Sequence, residues 1–384
     1  MKIVADNKIP FLKGVIEPYA EVVYLPGAKI AKADLLDADG LIVRTRTKCK
    51  RELIEGTSLK FIATATIGFD HIDGSYCDSK GITWTNAAGC NSSSVAQYIA
   101  STVLNLAAEK KFSLSNMTIG IVGVGNVGSK VAKFAKAAGM KVLLNDPPRA
   151  RKESAASFVS LEKILSDSDI ITFHVPLTMD GPDKTFHMAD EIFFSAMKRC
   201  SFFINSSRGE VVNTEALKKL LRNRSGLSAI LDVWENEPNI DLDLLGLAKF
   251  ATPHIAGYST DGKANGTAMS VQALARFFGI RELENWYPPD VPEPAETVIG
   301  IDCGGKSKEQ ILLEAVKFTY DVKGDDQRLR SAPERFEKLR EEYPLRREFP
   351  VYKIKLANDR GDFAGVLAEM GFEVNGDNFK VILN

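Results

Sequence analysis

The chain has 384 residues, of which 45% are hydrophobic and 26% charged, so it is long enough for two or three globular domains. Its 49 basic and 50 acidic residues give a formal net charge of -1, which provides no general attraction to nucleic acid or to an anionic membrane. Five scattered cysteines without C-x-x-C spacing argue against a disulfide framework and a zinc site: Cys49, Cys77, Cys90, Cys200 and Cys303.

The first lobe covers residues 1–92 and alternates short apolar runs with polar, helix-compatible stretches. The runs predict strands at residues 3–5, 41–43, 61–65 and 82–84, and the alternation indicates an α/β lobe. A long amphipathic segment at residues 260–285 has no strand after it. We expect this segment to pack back onto the first lobe, which makes that lobe discontinuous in sequence.

The central region, residues 93–259, begins with capping residues at 91–94 followed by a helical spacing of apolar residues to about Lys110. Apolar strands then alternate with helical segments, with strands predicted at residues 118–122, 142–144, 170–173, 202–204 and 229–231. This pattern is typical of a doubly wound parallel sheet.

The last region, residues 286–384, opens with the proline-rich stretch WYPPDVPEP, which favours an extended connector. It continues with a helical pattern at residues 311–316. A strand-like alternation follows, in which Tyr352, Ile354 and Leu356 are separated by Lys353 and Lys355. We expect a third domain, a small α+β module.

A glycine motif lies directly after the strand predicted at residues 118–122. Gly123, Gly125 and Gly128 form G-x-G-x-x-G, with Asn126 and Val127 between the second and third glycines. The glycines permit a tight turn, a close approach to a pyrophosphate and close packing of helix on strand, while the helix N-terminus supplies amide donors. The motif predicts a Rossmann-type dinucleotide site.

The next strand ends at Asp146, 18 residues after the last glycine, where an acid can accept hydrogen bonds from ribose hydroxyls. A carboxylate at this point repels a 2′-phosphate, so NAD is favoured over NADP. Arg149 and Arg151 follow closely and weaken this preference, because a basic residue there can hold the extra phosphate.

Three polar residues follow predicted strands of the central region. His254 in TPHIAG is the best candidate for a base that takes a hydroxyl proton. Arg208 in SSRGE can bind a carboxylate through two hydrogen-bond donors. Glu237 in DVWENEP is placed to pair with the imidazole, which fixes its tautomer and favours its charged form. For Glu237, a solvated loop charge is an equally good interpretation.

The other histidines have contexts that favour structural roles. His71 and His187 lie in polar turn sequences, where a capping or surface position is expected. His174 ends a predicted strand on the cofactor side. It can line the nicotinamide pocket, but burial with one hydrogen bond is the better expectation.

The glycine motif with its later acid, together with N-SSRG-E-VV, DVWENEP and TPHIAG, resembles the D-isomer-specific 2-hydroxyacid dehydrogenases over about residues 1–285. The resemblance implies that Arg208 orients the substrate, that Glu237 partners the histidine and that His254 is the general acid/base. It also implies a flavodoxin-like substrate domain built from residues 1–92 and 260–285, and a nicotinamide-dependent oxidation.

Further motifs, including TATIGFDHID, NDPPRA and TPHIAGYS-DGKANGT, resemble one branch of that family over essentially the whole chain. This closer resemblance implies a phosphorylated 2-hydroxy acid as substrate and a homodimer formed through residues 286–384. It assigns NAD contacts to Asp146, Val175, Ser206, Asp232 and Gly257, and substrate contacts to Thr45, Thr66 and Tyr258.

Two positions depart from this branch, since Thr45 stands where a serine is usual and Val175 where a threonine is usual. The catalytic residues are not affected, so we expect function to survive. The substrate phosphate needs cationic or hydroxyl partners, and Arg44, Arg46 and Lys48 supply charge beside Thr45. The sequence does not choose among them, and a solvated edge is an equally good interpretation.

Two alternatives stay open. The first is another family member, such as 3-phosphoglycerate dehydrogenase or a lactate dehydrogenase, because the glycine loop and catalytic residues are common to the family. The second is a non-catalytic NADH-sensing binding protein. The amino terminus has charges and a proline where a signal peptide needs an apolar stretch, so we expect a cytoplasmic protein. From the net charge and the cysteine spacing we expect no nucleic acid, membrane or metal partner.

Overall fold

The structure is a computed structural model that describes residues 1–153, 157–197, 202–223, 226–361 and 363–375. The chain divides into two compact units. Unit 1 comprises Met1–Asn91 with Ser259–Pro292, and unit 2 comprises Ser92–Tyr258 with Glu293–Asn384. The carboxyl-terminal residues therefore share a unit with the central region, and the division into three domains stays a prediction.

Strands in the described residues are β1 (Lys2–Asp6), β2 (Glu21–Leu25), β3 (Gly40–Val43), β4 (Phe61–Thr64), β5 (Thr83–Asn86), β6 (Thr118–Val122), β7 (Lys141–Asn145), β8 (Ile170–Phe173), β9 (Phe202–Asn205), β10 (Ser228–Leu231), β11 (Phe250–Ala251), β12 (Val298–Asp302), β13 (Lys353–Ala357) and β14 (Glu373–Asn375). Helices are α1 (Arg51–Ile54), α2 (Gly74–Ser79), α3 (Ser92–Lys110), α4 (Asn126–Ala137), α5 (Pro147–Lys152), α6 (Leu161–Asp167), α7 (Glu191–Ala196), α8 (Thr214–Asn223), α9 (Leu242–Leu247), α10 (Thr260–Phe278), α11 (Lys308–Thr319), α12 (Val322–Ser331), α13 (Phe336–Glu341) and α14 (Phe363–Met370).

Unit 1 is built on a parallel sheet with the strand order β2-β1-β3-β4-β5. Its central strands alternate apolar side chains between two faces, so each face forms its own core. On one face Ile3, Ile42 and Phe61 pack with Val271 and Leu274 of α10. The segment at residues 260–285 therefore belongs to the core of unit 1, although Ser92–Tyr258 of unit 2 separate it in the chain from the first part of that unit.

Unit 2 is built on a parallel sheet with the order β11-β10-β9-β8-β6-β7. Strand β6 lies between β7 and β8, so the direction of winding reverses at the carboxyl end of β6. Ligands of open α/β sheets bind where the winding reverses. The order and the parallel pairing confirm the predicted doubly wound fold, and the glycine motif lies at the reversal.

The carboxyl-terminal part of unit 2 contains a parallel sheet with the order β12-β13-β14. Tyr352, Ile354 and Leu356 are buried while Lys353 and Lys355 between them are half-buried, as the sequence alternation predicts. Helices lie between these parallel strands in the chain, which is the alternation of an α/β arrangement. The sequence had predicted an α+β module. Buried residues of α11, such as Ile311, belong to the same core as Val103 of α3.

The predicted strand positions agree with the observed strands, and β6 and β8 match their predicted bounds. Strands β2, β11, β12 and β14 had no counterpart in the sequence predictions. None of the helices formed by the described residues combines the length and apolar character needed to cross a membrane.

Candidate active site

The glycine loop between β6 and α4 has the backbone that the motif predicts. Gly123 has φ +86°, and a Cβ on it would lie 2.6 Å from the His174 carbonyl oxygen. A Cβ on Gly128 would lie 2.0 Å from the Gly123 oxygen, so this contact of helix with loop requires glycine. Gly125 is exposed, and a Cβ there would meet open space. The fold alone therefore explains two glycines, while Gly125 leaves room for a ligand to approach the backbone.

Helix α4 begins at Asn126, and its first turn contains Val127 and Gly128. The first amides of a helix have no partner within the helix and form a favourable site for a phosphate group. Asn126 is exposed and Val127 half-buried, so this end of the helix is open to solvent. The arrangement fits the pyrophosphate of a dinucleotide.

Asp146 follows β7 and connects the loop to the next helix. Its Oδ2 accepts a hydrogen bond from the Val124 amide at 2.8 Å, and its Oδ1 accepts one from the Arg149 amide at 3.0 Å. Each carboxylate oxygen has two lone pairs, so both can still accept from ribose hydroxyls. The geometry fits the predicted ribose contact.

The two arginines that weakened the preference for NAD are both paired with acids. Arg149 makes a two-point ion pair with Glu153, which raises the pKa of the arginine, and also donates to the Val124 carbonyl. Arg151 pairs with Asp183. Because both positive charges are already compensated, the structure supports NAD over NADP.

His254 and Glu237 form a hydrogen-bonded pair. The His254 Nδ1 lies 2.7 Å from Glu237 Oε2, and Glu237 Oε1 accepts a hydrogen bond from the Trp234 amide at 2.9 Å. A carboxylate accepts only, so Nδ1 carries the proton and Nε2 of the neutral ring is left as the acceptor. The pair has the orientation that a general base and its partner require.

Burial on its own would raise the pKa of Glu237. The His254 charge and hydrogen bond, with the Trp234 amide, outweigh burial, so the pKa of Glu237 lies below its ordinary value. Glu237 therefore stays ionised and can stabilise a positive charge on the imidazole. Of the two interpretations of Glu237, the structure supports the histidine partner.

Asp232 holds the loop that carries His254. Its buried carboxylate accepts hydrogen bonds from the Thr252 hydroxyl and from the Ile255 and Ala256 amides, at 2.6, 2.8 and 3.0 Å. The His254 amide donates to the Asp232 carbonyl at 2.7 Å, and His254 has φ +55°, a left-handed conformation that this network maintains. Asp232 thus has a positioning role that the sequence did not indicate, and its contact with NAD stays a prediction.

Arg208 follows β9, and its conformation is fixed by short local contacts. The Asn205 amide side chain donates to the Arg208 carbonyl at 2.8 Å, and Arg208 Nη1 donates to the Ser207 carbonyl at 2.8 Å. A Cβ on the next residue, Gly209, would lie 2.0 Å from the Trp234 carbonyl carbon. Glycine here lets the Arg208 turn pack directly against the segment that leads to Glu237.

The predicted NAD contacts Val175 and Ser206 lie near His174. Val175 directly follows His174 after β8, and its side chain is 2.9 Å from a Cβ placed on Gly123. The Ser206 Oγ is 3.5 Å from His174 Nδ1, and the Thr172 hydroxyl is 3.1 Å from Nε2. Burial lowers the pKa of His174 to about 3, so the ring is neutral. His174 is half-buried and both ring nitrogens have a hydroxyl contact, whereas the sequence predicted burial with one hydrogen bond.

The remaining predicted contacts lie in both units. In unit 1, Thr45 follows β3 and is exposed, while the Thr66 hydroxyl donates to the Gly68 carbonyl at 2.9 Å. Both residues lie at the carboxyl edge of the unit 1 sheet. In unit 2, Gly257 is half-buried and Tyr258 makes an edge contact with Tyr343. The roles of these four residues stay predictions.

Neither His71 nor His187 is fully exposed at the surface. The sequence placed His71 at a cap or surface, but it is buried with its Nε2 3.1 Å from the Thr64 hydroxyl, because its turn folds against β4. His187 is half-buried and pairs with Glu235 at 2.6 Å, a contact that the sequence analysis missed. The described cysteines Cys49, Cys77, Cys90 and Cys303 are buried and form no disulfide, whereas Cys200 lies outside the described residues. No metal-ligand cluster occurs among the described residues.

Residues 93–256 match the NAD-binding domain of the D-isomer-specific 2-hydroxyacid dehydrogenases, and residues 294–371 match a family described only as a domain of unknown function. The chain is 52% identical to an erythronate-4-phosphate dehydrogenase of Bacteroides fragilis, over 92% of this chain and 99% of the relative. It is 40% identical to the enzyme of that name from Shigella boydii, over 97% and 98%.

Solved structures of dehydrogenases are similar to a large part of the chain. A D-lactate dehydrogenase from Aquifex aeolicus, in complex with NAD and lactic acid, has 26% identity and a TM-score of 0.60, covering 77% of this chain and all of its own. An NAD-bound 3-phosphoglycerate dehydrogenase from Entamoeba histolytica has 26% identity and a TM-score of 0.62, over 74% and 97%. These structures leave about a quarter of this chain unmatched.

Proposed function

The chain belongs to the erythronate-4-phosphate dehydrogenases, a group within the D-isomer-specific 2-hydroxyacid dehydrogenases, and we propose that it oxidises 4-phospho-D-erythronate with NAD. The product is 2-oxo-3-hydroxy-4-phosphobutanoate, a precursor in pyridoxal 5′-phosphate biosynthesis. The observation that carries this proposal is the 52% identity over nearly the whole chain. The His254–Glu237 pair, in the same unit as the nucleotide loop, supplies the chemistry that the reaction needs.

His254 takes the proton of the C2 hydroxyl. Its Nδ1–H is held by Glu237, so Nε2 is the accepting nitrogen, and the ionised carboxylate stabilises the imidazolium that forms. The nicotinamide of a bound NAD would supply the acceptor for the hydride at C2. Arg208 binds the substrate carboxylate through its guanidinium and polarises the developing carbonyl.

The dinucleotide is held by the loop between β6 and α4. The first amides of α4, at Asn126 and Val127, bind the pyrophosphate, and Asp146 accepts from the ribose hydroxyls. Val175, Ser206, Asp232 and Gly257 complete the cofactor contacts in our proposal. The open space at Gly125 and the compensated arginines near Asp146 support NAD as the form bound.

We assign Thr45, Thr66 and Tyr258 to the substrate on the resemblance to this group. Thr45 retains the hydroxyl that serine provides in related enzymes. The Thr66 hydroxyl already donates its proton to the Gly68 carbonyl at 2.9 Å, and its oxygen lies 2.7 Å from the Thr64 hydroxyl. The assignment of Thr66 therefore requires that its oxygen accepts a hydrogen bond from the substrate.

We also propose that the protein is a cytoplasmic homodimer assembled through residues 286–384. The resemblance of the carboxyl-terminal segment to the dimerisation module of this group supports the assembly, and the free buried cysteines fit a reducing compartment. Light scattering should give twice the chain mass of 42.1 kDa. A monomeric mass at micromolar concentration would contradict the proposed dimer.

The function is tested by the appearance of nicotinamide absorbance when purified protein meets NAD and 4-phospho-D-erythronate, with a carbonyl trap to pull the reaction forward. NADH formed from this acid, but not from 3-phosphoglycerate or D-lactate, is the expected result. Turnover of 3-phosphoglycerate or D-lactate instead would identify a different dehydrogenase. NAD binding without turnover of any acid would favour a non-catalytic sensor.

A further inference from the structure

Cationic residues gather at the carboxyl edge of the unit 1 sheet, the edge at which ligands of parallel α/β sheets bind. Arg44 directly follows β3, and its Nη1 donates to the carbonyl of Lys8, which lies beyond β1, at 3.2 Å. Arg44 is half-buried, whereas its neighbours Arg46 and Lys48 are exposed. The fold therefore distinguishes Arg44 from the other two cations of RTRTK.

Helix α10 brings a further cation to the same edge. A Cβ on Gly266 would lie 2.7 Å from the Ala65 carbonyl oxygen, so glycine lets the helix pack directly against the chain just before Thr66. The Thr267 hydroxyl donates to the Pro10 carbonyl at 2.8 Å. Lys263 lies three and four residues before these contacts, on the same side of the helix. It therefore faces the loops that carry Arg44 and Thr66.

The charges of Lys263 and Arg44 act on each other. Burial lowers the pKa of Lys263, and the positive charge of Arg44 lowers it further. Lys263 lies in the first turn of α10, whose N-terminus adds a partial positive charge. Two cations held near a helix N-terminus repel each other electrostatically. A multiply charged anion bound to both would offset this repulsion.

We propose that Arg44 and Lys263 form the binding site for the phosphate group of the substrate. The proposal rests on the proposed function for the identity of the phosphorylated acid. It adds Lys263, which sequence analysis did not consider, and selects Arg44 from three candidates. A phosphate monoester carries close to two negative charges at neutral pH, so one site with two cations matches its charge.

The test measures the KM for 4-phospho-D-erythronate in the full-length protein. We expect Lys263→Met and Arg44→Met each to raise KM about tenfold or more, the usual effect of losing a charged hydrogen bond. Lys263→Arg keeps the charge and should stay within about threefold of the wild type. The KM for NAD should not change. Lys29→Met, which removes an exposed lysine of unit 1, is the matched control.

Inorganic phosphate is the second probe, as a competitive inhibitor against the substrate. Its inhibition constant should rise by a similar factor in both methionine variants and stay constant in Lys29→Met. Unchanged KM and inhibition constant in Lys263→Met would overturn the proposal. If Lys263→Met does not fold, Arg44→Met and Lys263→Arg decide the question on the same two constants.

Failure of the proposed function gives a different result. If the wild type forms no NADH from 4-phospho-D-erythronate, the substrate assignment is wrong, and the site is judged by the melting temperature with inorganic phosphate. A phosphate-dependent rise in the wild type that Lys263→Met loses would support an anion site for another phosphorylated ligand. No rise in the wild type would overturn the site itself.

Discussion

Unit 2 contains two histidine–glutamate pairs that are nearly alike in local geometry. The His254–Glu237 distance is 2.7 Å and the His187–Glu235 distance is 2.6 Å. Both histidines have left-handed backbones, with φ +55° and +51°, and both glutamates lie in the same loop after β10. Pairing of a histidine with a carboxylate therefore does not identify the catalytic base.

The two pairs differ in the further contacts that each histidine and each glutamate makes. His187 has its other ring nitrogen 3.4 Å from the Asn213 amide nitrogen, and its ring stacks on Phe186. Glu235 uses its second oxygen to accept the Thr214 amide at the start of α8. By contrast, no described residue forms a hydrogen bond with Nε2 of His254, whose Nδ1 contacts Glu237. The His187–Glu235 pair therefore connects loops of the fold through both of its members. The His254–Glu237 pair leaves Nε2 of His254 as an acceptor for a substrate.

The largest expected effect separates the two histidines directly. His254→Asn should lower turnover by at least about a hundredfold, the usual loss on removing a general base, with little change in NAD binding. Asparagine suits this position because it tolerates a left-handed backbone. The measurement is kcat from NADH formation, together with NAD binding by calorimetry.

His187→Asn is the matched control, since it changes the same residue type at a similar φ. We expect it to keep kcat within about threefold, because a residue outside the reacting centre contributes to stability more than to rate. Equal losses of kcat in both variants would remove the distinction between the pairs. Full activity of His254→Asn would exclude His254 from the mechanism.

The second effect compares the two glutamates. Glu237→Gln should lower kcat about tenfold to a hundredfold, because the imidazolium loses the carboxylate that stabilises it. Glutamine keeps an oxygen for the Trp234 amide, so the loop should remain folded. Kinetics and circular dichroism on the same sample separate the two consequences. A kcat equal to that of the wild type would show that the charge of Glu237 is not used in the reaction.

The third effect concerns stability and its dependence on pH. Glu235→Ala should lower the free energy of unfolding by about 1 kcal/mol, because α8 loses the acceptor for Thr214 and His187 loses its partner. Burial alone would raise the pKa of Glu235, but the Thr214 and His187 contacts outweigh it and lower the pKa below its ordinary 4.5. Stability from this group is thus present above pH 4.5 and is lost as pH falls through the lower folded pKa.

Denaturant unfolding at neutral pH and at a pH well below 4.5 checks this sign. The difference between the wild type and Glu235→Ala should be largest at neutral pH and shrink in acid. A difference that grows in acid would mean that the carboxylate is destabilising in the folded state. Activity at neutral pH should be retained, in contrast to Glu237→Gln.

The contrast between the pairs also shows what could be predicted from the sequence. Strand β6, the turn at the glycine motif and the positions of Arg208, Glu237 and His254 after strands were predictable, because each depends on a local pattern: an apolar run, glycines at fixed spacing, or a polar residue just after a strand. Strand β2 was missed because it is an edge strand whose residues are exposed or half-buried, without clear alternation. The pattern that predicts strands depends on one face being buried.

Contacts between distant parts of the chain were not predictable. His187 and Glu235 are 48 residues apart in sequence, and their pairing requires the loops after β8, β9 and β10 to meet. The network around Asp232 is similar, since its donors come from a segment about 20 residues later. A single sequence shows which residue types are present, whereas burial and partners follow from how the strand ends are arranged in space.

The smallest expected effect concerns the positive charge of Arg340, which acts on Glu237. Arg340 of α13 lies 5.3 Å from the Tyr258 ring, and its positive charge is one of the influences that lower the pKa of Glu237. Arg340→Met should therefore raise the pH at which Glu237 takes up a proton, by less than about one unit, and change kcat at neutral pH by less than about threefold.

The pH profile of kcat/KM measures this shift, and Arg340→Lys is the control that keeps the charge. The acid limb should move to higher pH in the methionine variant and stay in place in the lysine variant. Since Arg340 is not among the groups that set the pKa of Glu235, the contribution of Glu235 to the pH dependence of stability should not change. A large fall in kcat at neutral pH would instead mean that Arg340 touches the substrate, so that the carboxyl-terminal segment contributes directly to the active site.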